Sequence, residues 1–208
     1  MESVGVWARI VGAIDNQPTV GYSTHVRIAT LGRFFILLSA PTLGYLVDQG
    51  AKGSDISLVG GISFLIIFFM ILLFYKVGYS YFGKVYAFFN KGPEPQVPDK
   101  VLLTGKTLDR KFLLMSILSF VFTASGLIVV NILASINPDM RAMIVQLSAL
   151  ITALGTLIHI FYIDPKLSHS ADNDTNQLIV YVQLFLIARL SMSVVIFLIF
   201  LFLSTIIE

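Results

Sequence analysis

The sequence predicts an all-α fold: a polytopic integral membrane helical bundle with five full spans plus a short N-terminal helix. Three observations lead to this prediction: 56% of the 208 residues are apolar, only 12% are charged, and the mean hydropathy is +0.86. Soluble domains carry about twice that charged share, so a water-soluble fold of this size has too little polar surface to cover its apolar residues. We therefore predict a single membrane domain over residues 1–208.

The first predicted helix, over residues 3–14, is too short to span a bilayer. Residues 1–14 reach about 21 Å as a helix, whereas the hydrocarbon core is about 30 Å thick. The segment also lacks the basic start of a signal peptide. We expect either a re-entrant helix or half of a spanning helix, with further apolar codons upstream in the natural reading frame.

The second predicted helix covers residues 20–47 and carries polar residues inside an apolar stretch. Arg33 interrupts its apolar part, and a polar patch with His25 and Arg27 lies nearer its start. Pro41 lies within the helix, where a proline removes a backbone hydrogen bond and bends the axis. We predict a kink that releases a backbone carbonyl, and a broken helix beside an internal arginine points to a substrate site.

The remaining predicted helices follow long stretches without charge. Uncharged runs of 20, 27 and 22 residues begin at Ile56, Phe112 and Ala142, and each is long enough to cross a bilayer. The last run holds 33 residues with Arg189 as its one charge, which suits a long tilted helix. The predicted helices cover residues 56–89, 112–136, 140–163 and 175–207.

Two connecting segments have distinctive compositions. Residues 90–100 (NKGPEPQVPDK) hold three prolines, which predicts a semi-rigid linker. Residues 164–176 (DPKLSHSADNDTN) are hydrophilic and show no periodicity, which predicts a loop. No internal repeat is obvious along the chain, so an inverted-repeat transporter has no support from the sequence.

Lysine and arginine residues in the connections set the predicted orientation. Half of the fourteen basic residues lie between Lys76 and Lys111, so the positive-inside rule places this connection in the cytoplasm. Alternation of the spans then puts residues 48–55 and 137–141 outside and returns the loop with Lys166 to the cytoplasm. Both chain ends are expected to face outside.

The two basic residue types are sorted differently along the chain. All eight lysines fall in connections or at helix ends, whereas four of the six arginines lie inside apolar stretches. These four arginines are Arg9, Arg27, Arg33 and Arg189. A cation at the membrane centre costs about 2.5–3.5 kcal/mol on insertion scales. The acids lie at helix ends, so we expect internal ion pairs to be at best partial.

Two interpretations of these arginines stay open. Arg9 and Arg27 either snorkel to the interface or bond helix-end carbonyls, or they join a cationic cavity. For Arg33 and Arg189, which lie deeper in apolar sequence, we favour a water-filled cationic cavity. Arginine suits a phosphate or pyrophosphate there because its planar guanidinium bonds two oxygens at once.

Motifs of catalysis are missing from the sequence. It contains no G-x-S-x-G, HExxH, P-loop or dinucleotide fingerprint, and its histidines and acids lack the spacing of a metal site. His159 lies near a helix end and is interpreted as interfacial, with a proton relay as the alternative. We expect no enzyme, cofactor, metal or nucleic-acid partner, and we favour binding or movement of an anionic, lipidic substrate.

Several motifs near the start resemble the Amj proteins, alternative lipid II flippases of bacterial inner membranes. The matching segments are residues 2–12 (ESVGVWARIVG), 32–33 (GR), 39–44 (SAPTLG) and 46–48 (LVD). The family pattern has an E…RIAG segment, then S-R-T, then Q-A-P-L-L-G-x-L-V-[DE] at almost the same spacing. Gly32, Phe34 and Ser39 depart from it, and the upstream half of the family's first helix has no counterpart here.

The resemblance implies translocation of an undecaprenyl-pyrophosphate-linked peptidoglycan precursor across the bacterial inner membrane. Arg9 matches the first arginine of the family pattern and Arg33 the second, and Arg189 corresponds to an arginine of its last helix. We expect Arg33 to be the primary phosphate contact, Arg9 and Arg189 to assist, and Arg27 to lie at the entrance. The implied partner is an anionic polyprenyl-pyrophosphate lipid.

Two other classes of function stay open. The chain is alternatively a non-transporting membrane subunit whose arginines pair with acids of a partner protein, or a membrane-bound lipid-modifying enzyme. Internal arginines without nearby acids favour transport over enzymatic modification. Binding of a polyprenyl-pyrophosphate by the purified chain alone would distinguish transport from the subunit role.

Overall fold

The computed structural model describes residues 2–90 and 109–207, and each element in these ranges is helical. Within them, the side chains of residues 2–4, 33, 35–38, 74–80, 82 and 89–90 lie outside the described part. A 3₁₀ turn over Pro138–Met140 precedes α5, and a π-helical turn over His159–Ile163 joins α5 to α6. The helices are α1 Glu2–Ile14, α2 Pro18–Asp48, α3 Gly53–Asn90, α4 Arg110–Ile136, α5 Arg141–Ile158, α6 Asp164–Asn173 and α7 Thr175–Ile206.

Four of the described stretches are long and apolar enough to cross a membrane, which makes the chain a multi-pass membrane protein by length and composition. They are Gly53–Leu73, Arg110–Ile136, Pro138–Asn173 and Thr175–Ile206. The all-α prediction is confirmed for the described residues. The fifth predicted span corresponds to α2, which is helical over 31 residues but is not among these four, so its crossing stays a prediction.

The exposed surface of α3 is the kind that lipid covers. Large apolar side chains are exposed at helical spacing along one face, namely Leu58, Val59, Ile62, Ile66, Phe69 and Leu73. Phe64, on the other face, is buried against Phe120 of α4 and Phe200 of α7. In water such a continuous apolar face would drive aggregation, whereas in a bilayer it is the expected lipid contact.

The first helix is the most deeply enclosed element. Val6, Trp7, Ile10 and Val11 are buried, although α1 contains only 13 residues and reaches about 20 Å. Its contact with α2 is backbone to backbone, because a Cβ on Gly12 would lie 2.5 Å from the Cα of Gly21. Small residues of this kind let membrane helices approach closely, and here they bring α2 directly against α1.

The first ten residues of the polar segment 164–176 are helical, so the prediction of a loop is wrong for residues 164–173. Asp164–Asn173 forms α6, which continues directly from the π-helical turn and contains Pro165. Leu167 and Ser170 are buried, so a single apolar side chain fixes the packed face. Asp174 then caps α7 by accepting hydrogen bonds from the backbone N–H groups of residues 176 and 177.

Two ion pairs mark opposite ends of the bundle. Arg141 Nη1 lies 2.8 Å from Asp48 Oδ1, which joins the start of α5 to the end of α2. Lys166 of α6 pairs with Asp109, the N-cap of α4. The connections predicted to lie outside therefore meet at one end, and those with Asp109 and Lys166 at the other. Which end faces the cytoplasm stays a prediction, and the proline-rich connection after residue 90 falls outside the described residues.

Single cysteines test the orientation, because the chain has no cysteine of its own. In intact cells, Asp139→Cys should react with a membrane-impermeant maleimide. Gln96→Cys and His169→Cys should react only after permeabilisation, since the positive-inside rule places both in the cytoplasm. Labelling of Gln96→Cys from outside intact cells would show that the predicted orientation is inverted.

Candidate functional site

Arg9 is buried where three helices meet. Its guanidinium is 2% exposed and forms an ion pair with the Asp164 carboxylate of α6. Nη1 also donates to Ser168 Oγ at 3.4 Å, and the guanidinium carbon lies 4.7 Å from the centroid of the Tyr22 ring on α2. Arg9 therefore links α1, α2 and α6 through one ion pair, one hydrogen bond and one cation–π contact.

Arg9 has an acidic partner inside the bundle, which neither interpretation of this arginine anticipated. Asp164 looks like a helix-end residue in the sequence, since the polar segment begins with it. The helix instead continues through Asp164, and its carboxylate lies against Arg9. Sequence reasoning missed this partner because the two residues are 155 positions apart.

Two buried histidines complete the group around Asp164. His25 and His159 are both buried, and His159 Nε2 lies 3.5 Å from Asp164 Oδ1. Each of the three residues places a donor or acceptor atom within 4.8 Å of the others. We call Arg9, His25, His159 and Asp164 the polar cluster. The His159 ring lies inside the bundle, and its position relative to the membrane interface stays a prediction.

The π-helical turn explains how His159 and Asp164 come together. In an α-helix, residues five apart point about 140° away from each other. Here the Asp164 N–H donates to the His159 carbonyl, the hydrogen bond of a π-helix, and the wider turn brings the two residues toward one face. Isolated π-turns occur frequently at functional sites. No spacing rule applied to the sequence would find this pair, since it depends on that local change of helix type.

The polar cluster has the residue types of a metal site, contrary to the expectation from spacing. Two histidines and a carboxylate within 4.8 Å of one another are ligands that a transition metal would accept. However, the Asp164 oxygen nearest His159 is the same atom that pairs with Arg9. A divalent ion would sit beside a buried guanidinium with one carboxylate to share, so the cluster is better described as a neutral network of one cation, one anion and two imidazoles.

A cavity of about 190 Å³ opens beside Arg9, between the start of α2 and α6. Nε of Arg9 has no hydrogen-bond partner among the described residues, so the guanidinium keeps an unused donor. Both helices contribute polar side chains to the lining of the cavity. The lining residues are Arg9, Pro18, Thr19, Tyr22, Ser168, Ala171 and Asp172. The cavity therefore offers a cation and hydroxyl donors to a small anionic group.

A second ion pair holds α6 in place. Lys166 binds the Asp109 carboxylate, and the Tyr181 hydroxyl lies 3.5 Å from the same carboxylate. Partial burial alone would raise the pKa of Asp109, but hydrogen bonds from Lys166 and from the Phe112 N–H outweigh it and lower that pKa. The pair therefore stays ionised at neutral pH and fixes α6, and with it Asp164 and Ser168, against α4 and α7.

Arg189 lies in a different environment from the predicted water-filled cavity. It is buried on α7, with its guanidinium carbon 4.1 Å from the Phe185 ring centroid and 5.4 Å from that of Phe120. Phe185 also contacts His159, with ring centroids 5.7 Å apart. Arg189 is thus separated from the polar cluster by an aromatic ring, and cation–π contacts stabilise its charge.

The other predicted site residues lie on α2. Arg27 is exposed, and Pro41 is exposed within a helix that runs through it without a break. The bend at Pro41 stays a prediction. Arg33 belongs to α2, but its side chain lies outside the described residues. Of the four predicted arginines, Arg9 is thus the one that lines the described cavity.

A second cavity of about 530 Å³ lies between α2, α4 and α5. Its walls carry small and hydroxyl side chains, including Ala40, Thr123 and Thr156. The hydroxyls are satisfied within their own helices, because Thr123 donates to the Ser119 carbonyl and Thr156 to the Thr152 carbonyl. The groove therefore presents mainly apolar surface and suits a hydrocarbon chain.

Comparison with known proteins adds no relative. No protein-family model, no curated protein and no solved structure matches the chain. The function therefore has to be inferred from the residues and their geometry.

Proposed function

We propose that this chain is a lipid flippase of the bacterial cytoplasmic membrane, which moves a polyprenyl-pyrophosphate-linked peptidoglycan precursor, lipid II, between leaflets. The observation that carries the proposal is Arg9, a buried guanidinium that lines a cavity together with the hydroxyl-bearing residues Thr19, Tyr22 and Ser168. A buried cation is expensive in a membrane and marks a functional site by default. The resemblance to the Amj proteins supports the same substrate class.

The headgroup phosphate would bind in the cavity beside Arg9. The guanidinium supplies a charge-assisted donor, and the hydroxyls of Tyr22 and Ser168 add neutral donors around it. Asp172, at the cavity rim, is exposed and so remains solvated. These groups recognise a phosphate through its oxygens and charge, which the lipid shares whatever sugar it carries.

The path from this cavity leads along α2. Arg33 lies eleven residues after Tyr22 on the same helix, about 16 Å along its axis. We propose Arg33 as the next and primary phosphate contact, with exposed Arg27 between the two levels. Arg189 would act indirectly, through Phe185. The groove lined by Thr123 and Thr156 would hold part of the hydrocarbon tail.

Among the described residues, no contact favours the subunit or the enzyme alternative. The subunit alternative was motivated by arginines without acidic partners, and Arg9 has its partner in Asp164 of the same chain. The enzyme alternative needs a nucleophile beside a base, whereas Ser168 makes its described side-chain contact with Arg9. Neither arrangement favours a function other than anion binding.

Arg9→Lys tests the proposal, because lysine keeps the charge and the ion pair but loses the planar fork. Wild-type protein in detergent micelles should bind undecaprenyl pyrophosphate, and Arg9→Lys should bind it at least about tenfold more weakly, since a charge-assisted hydrogen bond is worth about 1.5–3 kcal/mol. Arg141→Lys, at the opposite end of the bundle, is the matched control and should bind like wild type. Equal wild-type binding of undecaprenol, which has no phosphate, would contradict the proposal.

A further inference from the structure

We infer that the polar cluster is a proton-binding site. When Arg9 leaves Asp164 to bind an anion, a proton binds the cluster and takes the place of the Arg9 charge. The inference rests on the proposed function and adds the coupling ion to it. It follows from three observations: two buried imidazoles, one shared carboxylate oxygen, and a cavity that gives Arg9 a second place to bind.

Arg9 and His159 share one anionic partner, Asp164. Asp164 Oδ1 pairs with Arg9 Nη2 and lies 3.5 Å from His159 Nε2. A protonated His159 could therefore satisfy Asp164 with only a small movement, and Arg9 would then be released toward the cavity it already lines. The single negative charge of Asp164 neutralises one cation at a time, so an imidazolium at His159 would take over the role of Arg9 in the pair.

Charge neutrality in a buried site couples the two events. With Arg9 and Asp164 ionised and both imidazoles neutral, the cluster carries no net charge. When one negative charge of a phosphate binds Arg9, the group gains a charge of −1, which burial disfavours. One proton taken from water by the His159 imidazole gives an imidazolium beside Asp164 and restores neutrality. No other co-reactant is required.

Both histidines have capacity for this role. His25 Nδ1 and His159 Nδ1 are buried and have no hydrogen-bond partner among the described residues. His25 lies within the same 4.8 Å group, beside His159 and Asp164. The Asp164 side chain is 22% exposed, so water reaches the carboxylate beside the imidazoles.

The charged groups around the cluster come from each packed element. Helix α1 contributes Arg9, α2 contributes His25 and Tyr22, and the π-turn with α6 contributes His159 and Asp164. More distant cations have partners of their own. They are Lys166 on Asp109, Lys111 over the Tyr162 ring, and Arg189 over the Phe185 ring that contacts His159. Arg9 is thus the cation that shares Asp164 with the imidazoles.

Proton uptake on lipid binding provides the first test. In weakly buffered detergent solution at pH 7.5, wild-type protein should take up about one proton more per undecaprenyl pyrophosphate bound than His159→Gln does, as linkage requires. His169→Gln, an exposed histidine of α6, is the matched control and should behave like wild type. Equal proton uptake by His159→Gln and wild type would overturn the inference.

Histidine NMR without lipid provides a test that does not depend on the proposed function. The chain has three histidines, so ¹⁵N-labelled His169→Gln shows only His25 and His159. In this background, Arg9→Met mimics release of Arg9 and should raise the titration midpoint of His159 by about one pH unit or more. Adding Asp164→Asn should cancel that rise.

The outcomes distinguish failure of the proton site from failure of the proposed function. If the midpoint rises but wild-type protein binds no pyrophosphate lipid at any pH, the proton site stands and the proposed function fails. If the lipid binds equally at pH 6 and pH 8 and the His159 midpoint is unchanged in Arg9→Met, the proton site fails and anion binding stands. Stoichiometric Zn²⁺ binding that Asp164→Asn abolishes would replace the proton site by a metal site.

Discussion

Asp164→Asn should destabilise the folded protein by about 3 kcal/mol, because it removes the one anion that faces a buried guanidinium. Arg9 is 2% exposed and Asp164 22% exposed, so solvent cannot replace the lost partner on the arginine side. Asparagine keeps the shape of the side chain, which confines the change to charge. This cost is the free energy of leaving the Arg9 charge buried without a partner, and it differs from the net contribution of the ion pair to stability.

The measurement is unfolding in detergent micelles by heat or by titration with a denaturing detergent. Asp48→Asn is the matched control: it breaks the Arg141–Asp48 pair, whose acid is 66% exposed, and should cost less than about 1 kcal/mol. Arg9→Met combined with Asp164→Asn should be more stable than Asp164→Asn alone, because both charges are gone. If Asp164→Asn and Asp48→Asn were equally mild, Arg9 would not depend on Asp164.

Much of the helical framework could be predicted from the sequence, because a membrane helix is recognised from its own uncharged, apolar residues. Uncharged runs predicted helices at 112–136 and 175–207, and the structure has Arg110–Ile136 and Thr175–Ile206. In lipid each backbone polar group must be bonded within its own segment, so a long apolar run has essentially one available structure. The polar segment from residue 164 was wrongly predicted because its helicity depends on one buried leucine and on ion pairs with distant residues.

The site was less predictable than the fold. Arg9 was identified from its own apolar surroundings, which is local information, but its partner Asp164 is 155 residues away. His25 and His159 likewise meet only after α2 packs near the π-turn. A weak signal existed, since Tyr22 and His25 are three apart and therefore share a face of one helix. Long-range pairing of this kind is set by packing, which a single sequence does not display.

Arg33→Met should abolish binding and flipping of the pyrophosphate lipid while leaving the protein inserted and folded. Methionine keeps much of the chain length but removes the cation, and two charge-assisted bonds worth about 1.5–3 kcal/mol each correspond to a loss of more than a hundredfold. Arg33→Lys should be intermediate, because a point charge remains without the bidentate fork. Arg110→Met, at the exposed start of α4, is the matched control and should bind like wild type.

The two Arg33 variants distinguish a substrate contact from a structural ion pair. A phosphate contact predicts that Arg33→Met loses binding and that Arg33→Lys retains part of it. The unfolding transition of Arg33→Met should then be unchanged or shifted upward, because a cation inside an apolar stretch is gone. A purely structural ion pair predicts the reverse: Arg33→Met lowers stability, and Arg33→Lys changes neither stability nor binding. The measurements are lipid binding and unfolding in micelles, followed by flipping in proteoliposomes. A folded Arg33→Met protein with full flipping activity would remove Arg33 from the substrate path and leave the Arg9 cavity as the only anion site proposed on α1 and α2.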